Sequence, residues 1–349
     1  MRKFFLILIV LYFGFQLVLP DVKSQTQNYS SFVQPPYWKL SPTATPTPSP
    51  TPTPPPAEEC DVVVESGESI QAAINSRSSG TVCVMPGTWN LNGQLVMKAN
   101  VSVIAYPGYE AYDWSANTIS EEHPHIIPGT CQYCGIRWNT SASNSEFSGF
   151  EVSGGYSGLD IHTSNVTVRD NYIHHIYYQT ILLASTSNVL VEHNRTEEGG
   201  QYCYGWPNPI DGTMVSPRHC HSVYLSNVNG FCGMNDNIVR ENYLSLTGGN
   251  GVSFNGNDCM LAGQPQIVDT LVEGNIILNT NTGLALWHGT QGTVIQNNSI
   301  TIQDPYTPPG ATNDLPASLR CGIAAWDEVP TKINNTFSLK SGYSQNCQF

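Results

Sequence analysis

Basic residues are scarce in this chain: 14 lysines and arginines stand against 27 aspartates and glutamates, for a formal net charge of −13 at pH 7. Nucleic acids reward clustered lysine and arginine, so this balance argues against a nucleic-acid partner. It also disfavours direct capture of a polyanion unless calcium bridges the like charges. Calcium needs carboxylates and carbonyls at suitable spacing, and the many Asp and Asn residues permit that. Long apolar runs are missing after the first 25 residues, so no later segment could cross a membrane. No local catalytic motif stands out either. "CQYC" (131–134) has no βαβ pattern around it to support a redox reading, and "HCH" (219–221) reads as a disulfide flanked by histidines or as a zinc pair.

What is present begins with Arg2 and Lys3 ahead of "FFLILIVLYFGFQLVL" and Pro20, the layout of a secretory signal peptide over residues 1–24. Residues 25–59 include "SPTATPTPSPTPTPPP" (41–56), a proline- and threonine-rich spacer that cannot build a core. A secreted or cell-surface protein is expected, with its domain at 60–349 held out on that spacer. Ten cysteines, an even number, then point to disulfides.

The domain repeats itself. "VTVRDN", "VLVEHN", "NIVREN", "TLVEGN" and "TVIQNN" align on Asn171, Asn194, Asn242, Asn275 and Asn298, at intervals of 23, 48, 33 and 23 residues. A second motif follows about nine residues later: "GIRWN" (135–139), "GLDIH" (158–162), "TILLA" (180–184), "SVYLS" (222–226), "GVSFN" (251–255), "GLALW" (283–287) and "GIAAW" (322–326). Alternation at period two makes these strands. Strands this short bury an apolar face only when coils stack, so a solenoid of about two dozen residues per coil is predicted. The asparagines suit left-handed corners and can bond one another along the stack. Ahead of the coils, Ile70, Ala73 and Ile74 predict an amphipathic helix, capped by Ser66 or Ser69, that closes one end. The helix, the "VMPGTW" strand after it and the repeated coils resemble the right-handed parallel β-helix proteins related to pectate and pectin lyases. The resemblance implies an all-β right-handed parallel β-helix with an N-terminal capping helix. It leaves activity open, because lyases, glycosidases, epimerases and non-catalytic proteins share that fold.

In "GLALW", Leu284 and Leu286 take the inward positions, so Ala285 and Trp287 point out. The same rule gives one outward column of Arg137, Asp160, Leu182, Tyr224, Ser253, Ala285 and Ala324. A second holds Asn139, His162, Ala184, Ser226, Asn255, Trp287 and Trp326. Asp160 and His162 pair a carboxylate with an imidazole on an expected solvent face, and Arg137 lies one coil earlier. The insertion at 195–221 adds Trp206, Asp211, Arg218 and His221, and a second insertion occupies 304–317. Arg169, Glu192, Arg240, Glu273 and Gln296 form an outward column on the other strand, read as a surface charge ladder.

Three functions fit. A lyase acting on a uronate polysaccharide is the leading expectation. Its base would be His162, His221, Tyr224 or an arginine, with Arg137, Arg218 or Ca²⁺ neutralising the sugar carboxylate. A hydrolase would use a carboxyl pair, Asp160 and Asp211. A non-catalytic, monomeric carbohydrate-binding solenoid would rely on Trp287 and Trp326, with Asn255, Trp206 and Asn139 beside them.

Overall fold

A computed structural model describes residues 60–129, 131, 134–200, 220–227, 232–256, 267–306, 320–326 and 329–348. The expected signal segment and spacer lie outside the described residues, as do 201–219 and 307–317 of the two insertions. Among the described residues the chain stacks into three long parallel sheets of ten, nine and nine strands. One coil shows the plan. Val166–Arg169 lies in the first sheet, Tyr172–His174 in the second and Ile181–Ala184 in the third. Each pairs in parallel with its counterpart one coil on, as in Val168↔Val191, Ile173↔Thr196 and Leu183↔Leu225.

The repeat predicted two strands per coil and the structure has three. The extra strand is the short segment after each asparagine, around Ile173, Thr196, Leu244 and Ile277. It follows the corner directly, so it reads from sequence as part of that corner. For the same reason Arg195–Glu197, assigned to the long insertion, belongs to the second sheet.

The asparagines form a continuous buried ladder. Asn171, Asn194, Asn242, Asn275 and Asn298 are each at most 1% exposed. The Nδ2 of each donates to the Oδ1 of the next at 2.9–3.0 Å, ending on Asn335. A buried amide without partners would cost free energy, and here every coil supplies them. The left-handed corner is not at the asparagine itself, however. It falls one residue earlier, at Asp170, His193, Glu241, Gly274, Asn297 and Asn334, with φ between 51° and 64°.

The glycines that open the third-sheet strands are explained by close approach. A Cβ on Gly158 would sit 2.3 Å from the carbonyl oxygen of Thr180 in the next coil, and one on Gly283 would sit 2.4 Å from that of Gly322.

The two ends of the stack are closed differently. At the first, the helix Ile70–Ser76 buries Ile70 and Ile74, and Ser69 caps it by accepting from the Ala72 N–H. At the last coil, inward register positions carry Lys332 opposite Ile295, Asn346 opposite Ile323 and Gln348 opposite Ala325. Polar groups at core positions discourage a further coil from adding. Disulfides Cys60–Cys83 and Cys321–Cys347 each tie an end coil to its neighbour. Cys131–Cys134 closes "CQYC", and Cys220 and Cys232 are also disulfide-bonded.

Candidate active site

Both predicted outward columns are present in register. Arg137 pairs with Asp160, Asp160 with Leu182, Leu182 with Tyr224, Tyr224 with Ser253, Ser253 with Ala285 and Ala285 with Ala324. The face is less open than alternation alone implies. Asp160 is 2% exposed and Tyr224 4%, and the side chains of His162 and Arg137 lie against the Asp160 carboxylate. The expectation that Asp160 lies bare on a solvent face is therefore corrected.

Asp160, His162, Arg137 and Asn139 come together. The Nε2–H of His162 donates to one oxygen of Asp160 at 2.7 Å, and Nη1 of Arg137 approaches the other at 3.3 Å. The Nε of Arg137 donates to Asn139 at 3.2 Å. His162 and Arg137 each keep about a quarter of their side chains exposed (25% and 27%), so solvent reaches them but not the carboxylate. With Nε2–H committed to Asp160, Nδ1 carries the ring's lone pair. Among the described residues that Nδ1 has no hydrogen-bond partner.

A second group lies further along, centred two strand spacings away, about 10 Å, with Leu182 between. The ring of His221 packs 4.7 Å from that of Tyr224, and its Nδ1 accepts from the Asn250 N–H at 3.2 Å. The Tyr224 hydroxyl accepts from Asn255 at 2.9 Å. His221 is 1% exposed. Next in line, Trp287 and Trp326 stack with centroids 4.1 Å apart and planes 19° apart, and the Nε1–H of Trp287 donates to Ser253 at 3.2 Å. Both indoles are half-buried. Trp206, Asp211 and Arg218 lie outside the described residues.

Asp160 has both oxygens engaged, and among the described residues no group of three or more His, Cys, Asp or Glu side chains is arranged to take a metal ion.

Sequence reading missed a denser group on the outer face of the second sheet. Three imidazoles converge on Glu151. His123 donates to one oxygen, while His174 contacts the other at 2.8 Å and His125 lies 3.4 Å from it. Burial alone would push the Glu151 carboxyl up, but donation from His123 and His174 outweighs it and holds the group well below the usual carboxylate range. Burial also pushes His125 down, against the pull of Glu151. His175 pairs with Glu198 at 2.6 Å, and that bond raises the His175 pKa. Two coils on, Arg195 pairs with Glu197 at 2.6 Å and lies 4.9 Å from the Tyr243 ring centroid. The signal was available in "EVS", "YIH" and "RTE", three stretches alternating out, in, out after the first-sheet strand.

Solved structures share the architecture at low identity. The catalytic unit of a GH87 alpha-1,3-glucanase from Streptomyces thermodiastaticus strain HF3-3 matches with a TM-score of 0.51 and 15% identity, over 77% of this chain and 50% of that one. The surface adhesin PfbA of Streptococcus pneumoniae matches with a TM-score of 0.50 and 12% identity, over 79% and 73%. This chain thus spans only half the length of the glucanase unit. No curated protein matches the sequence. The model of the right-handed beta helix region matches residues 114–300, more than half of the 349, and with three parallel sheets wound coil upon coil the chain belongs to that family.

Proposed function

We propose that this is an extracellular, polysaccharide-active β-helix protein and that it acts as a lyase on a uronate-containing chain. The observation that carries the proposal is the Asp160–His162 pair, in which a buried carboxylate orients an imidazole whose other nitrogen is unengaged among the described residues. A carboxylate so placed fixes the tautomer and stabilises the imidazolium that forms, which suits a general base. His162 Nδ1 would take the proton from the carbon beside the uronate carboxylate. That electron pair becomes the new C=C bond as the glycosidic C–O bond breaks, and the imidazolium returns the proton to the leaving oxygen. Arg137 and Asn139 stand beside the pair to neutralise and orient the sugar carboxylate. No step runs through a metal.

A second reading, sugar binding without chemistry, is favoured by the Trp287–Trp326 stack on the same face. A glucanase and an adhesin share the architecture, so the fold itself does not choose between chemistry and binding. A hydrolase would need a second carboxyl: Asp160 is the only one in the two outward columns, and Asp211, its expected partner, lies outside the described residues. The disulfides, the N-terminal apolar run and the proline-rich spacer together support secretion and display of a single-copy domain.

The test is to incubate the full chain with polygalacturonate, polymannuronate and neutral glucans, with and without a chelator. Ultraviolet absorbance of the unsaturated product and new reducing ends are followed together. Absorbance that is lost in Asp160→Asn supports the lyase, and reducing ends without absorbance replace it by a hydrolase. Retention on a polysaccharide gel with neither signal leaves only binding.

A further inference from the structure

Charge on the third-sheet face is confined to one side of the Asp160–His162 pair. Asp160 lies in register between Arg137, one coil before it, and Leu182, one coil after it, each a strand spacing of about 4.8 Å away. On the Arg137 side the columns continue with Val96, paired with Arg137, and two residues on with Lys98, whose ammonium donates to the carbonyls of Asn75 and Arg77. The other side is different. From Leu182 and Ala184 to Ala324 and Trp326 the columns hold alkyl groups, hydroxyls, one amide and two indoles, and no charge.

Cations elsewhere among the described residues lie apart from this stretch. Arg169 and Arg240 pair with Glu146 and Glu192 on the first sheet, and Arg195 pairs with Glu197 on the second. Arg77 pairs with Asp61 beside the capping helix. Arg320 and Trp326 flank the strand Cys321–Ala325 at opposite ends. Lys332 lies on the last strand of the first sheet and Lys340 follows the last strand of the second.

A sugar residue in an extended chain is about as long as one coil is thick, so a homopolyuronate laid along this face brings a carboxylate to nearly every coil. The first can meet Arg137, which already faces Asp160 at 3.3 Å and has charge for no more than one sugar carboxylate. The next falls against Leu182, an alkyl side chain that takes water from an ion and offers no partner in return. Those beyond it lie on neutral coils of a protein whose formal net charge is already −13. Neutral sugars meet none of these penalties. Hydroxyls and amides such as those of Ser226, Tyr224 and Asn255 suit their hydroxyls, and leucine and indole suit their flat apolar faces.

On the lyase reading, we propose that Leu182 makes this site selective for polysaccharides that space single uronates between neutral sugars, and that it disfavours homopolyuronates. The uronate being cleaved sits between His162 and Arg137, and the neighbouring sugar that covers Leu182 is neutral. The uncharged part of the chain continues across Tyr224 towards the Trp287–Trp326 stack.

The test compares kcat/KM of the full chain on two kinds of substrate, followed by the ultraviolet absorbance of the unsaturated product. Polygalacturonate and polymannuronate carry a carboxylate on every sugar, whereas deacylated gellan and a rhamnogalacturonan backbone separate their 4-linked uronates by neutral sugars. The spaced chains should be cleaved about tenfold or more better, the cost of one charged group left without a partner. Leu182→Lys supplies that partner and should narrow the gap about tenfold by raising kcat/KM on the homopolyuronates. Homopolyuronates cleaved as well as the spaced chains by the wild-type protein overturn the selectivity and leave the lyase reading in place. A gap that Leu182→Lys leaves unaltered overturns the role of Leu182. Absorbance from none of the four substrates removes the lyase reading itself, and the selectivity with it. If the variant fails to fold, the wild-type ranking alone decides.

Discussion

The two outer faces of the coil differ in a way that bears on where chemistry resides. The second-sheet face is crowded with ionisable groups: His123, His125, His174, His175, Glu151, Glu197, Glu198 and Arg195. The third-sheet face has one carboxylate in its two columns, one arginine and one histidine. Density of charge would select the second face, but there the groups satisfy one another: Glu151 is shared by three imidazoles, and Arg195 by Glu197 and an aromatic ring. On the third face the Asp160 carboxylate is spent on orienting His162, which leaves a basic nitrogen to spare. An unengaged, oriented group can act on a substrate, whereas a fully engaged one mostly holds structure.

The sharpest way to break this contrast is to remove the carboxylate from each face in turn. Asp160→Asn should lower lyase turnover by roughly 10²- to 10⁴-fold, the usual weight of general acid–base catalysis. Glu151→Gln should leave turnover within about threefold of wild type, because it touches no atom near the third face. Rates of product absorbance on polygalacturonate and polymannuronate decide it. A reversed order would move the active site to the second sheet.

The second face should show its role in stability instead. Glu151 is held below its ordinary value of 4.5, so its contribution is complete above that value and is lost as pH falls through the lowered one. Glu151→Gln should therefore cost about 2 kcal/mol near pH 6, shrinking steadily in acid below about pH 4. Denaturant titrations of both proteins across that range measure it. A gap that is constant with pH would mean that the loss is one of packing and not of charge.

How much of this was legible beforehand depended on which side of the asparagine corner a strand lies. First- and third-sheet strands such as Val166–Arg169 and Thr282–Leu286 carry their alternation openly, and their columns read true down to the Trp287–Trp326 stack. The three-residue strands of the second sheet sit against the asparagine corners, where "NYIHHI" looks like a turn. Missing them hid the whole Glu151 group, because its members come from three separate coils. The Asp160–His162 pair was legible because both members lie within one strand motif. Its burial was not, since alternation tells which way a side chain points and not how closely His162 and Arg137 close over the carboxylate.

A smaller effect of opposite sign tests the corner beside that group. Its bond to Glu198 raises the His175 pKa, so its contribution is present below the ordinary imidazole value of 6.5 and is lost as pH rises through the raised one. The side chain is 55% exposed, and solvent screening keeps the gain to about 0.5 kcal/mol or less. His175→Gln should therefore lower the melting temperature slightly at pH 5.5 and hardly at all at pH 8.5. The two second-face variants would then lose their effects in opposite directions of pH.

The tryptophans set the least energetic but most discriminating test on the third face. Their rings are near parallel and stacked between adjacent coils, so each has given one face to its partner. A sugar can gain less from such a pair than from two separate rings, and truncating one ring should cost about 1 kcal/mol of binding. Trp326→Ala removes the outer member and leaves the Trp287–Ser253 bond intact. It should raise KM about fivefold on a long polysaccharide with kcat unchanged, since Trp326 lies about 24 Å, five strand spacings, from Asp160. A short oligosaccharide held at Asp160 alone should not notice the change. Equal loss on both substrates would mean that the indoles support the fold of the face and do not hold the chain that lies on it.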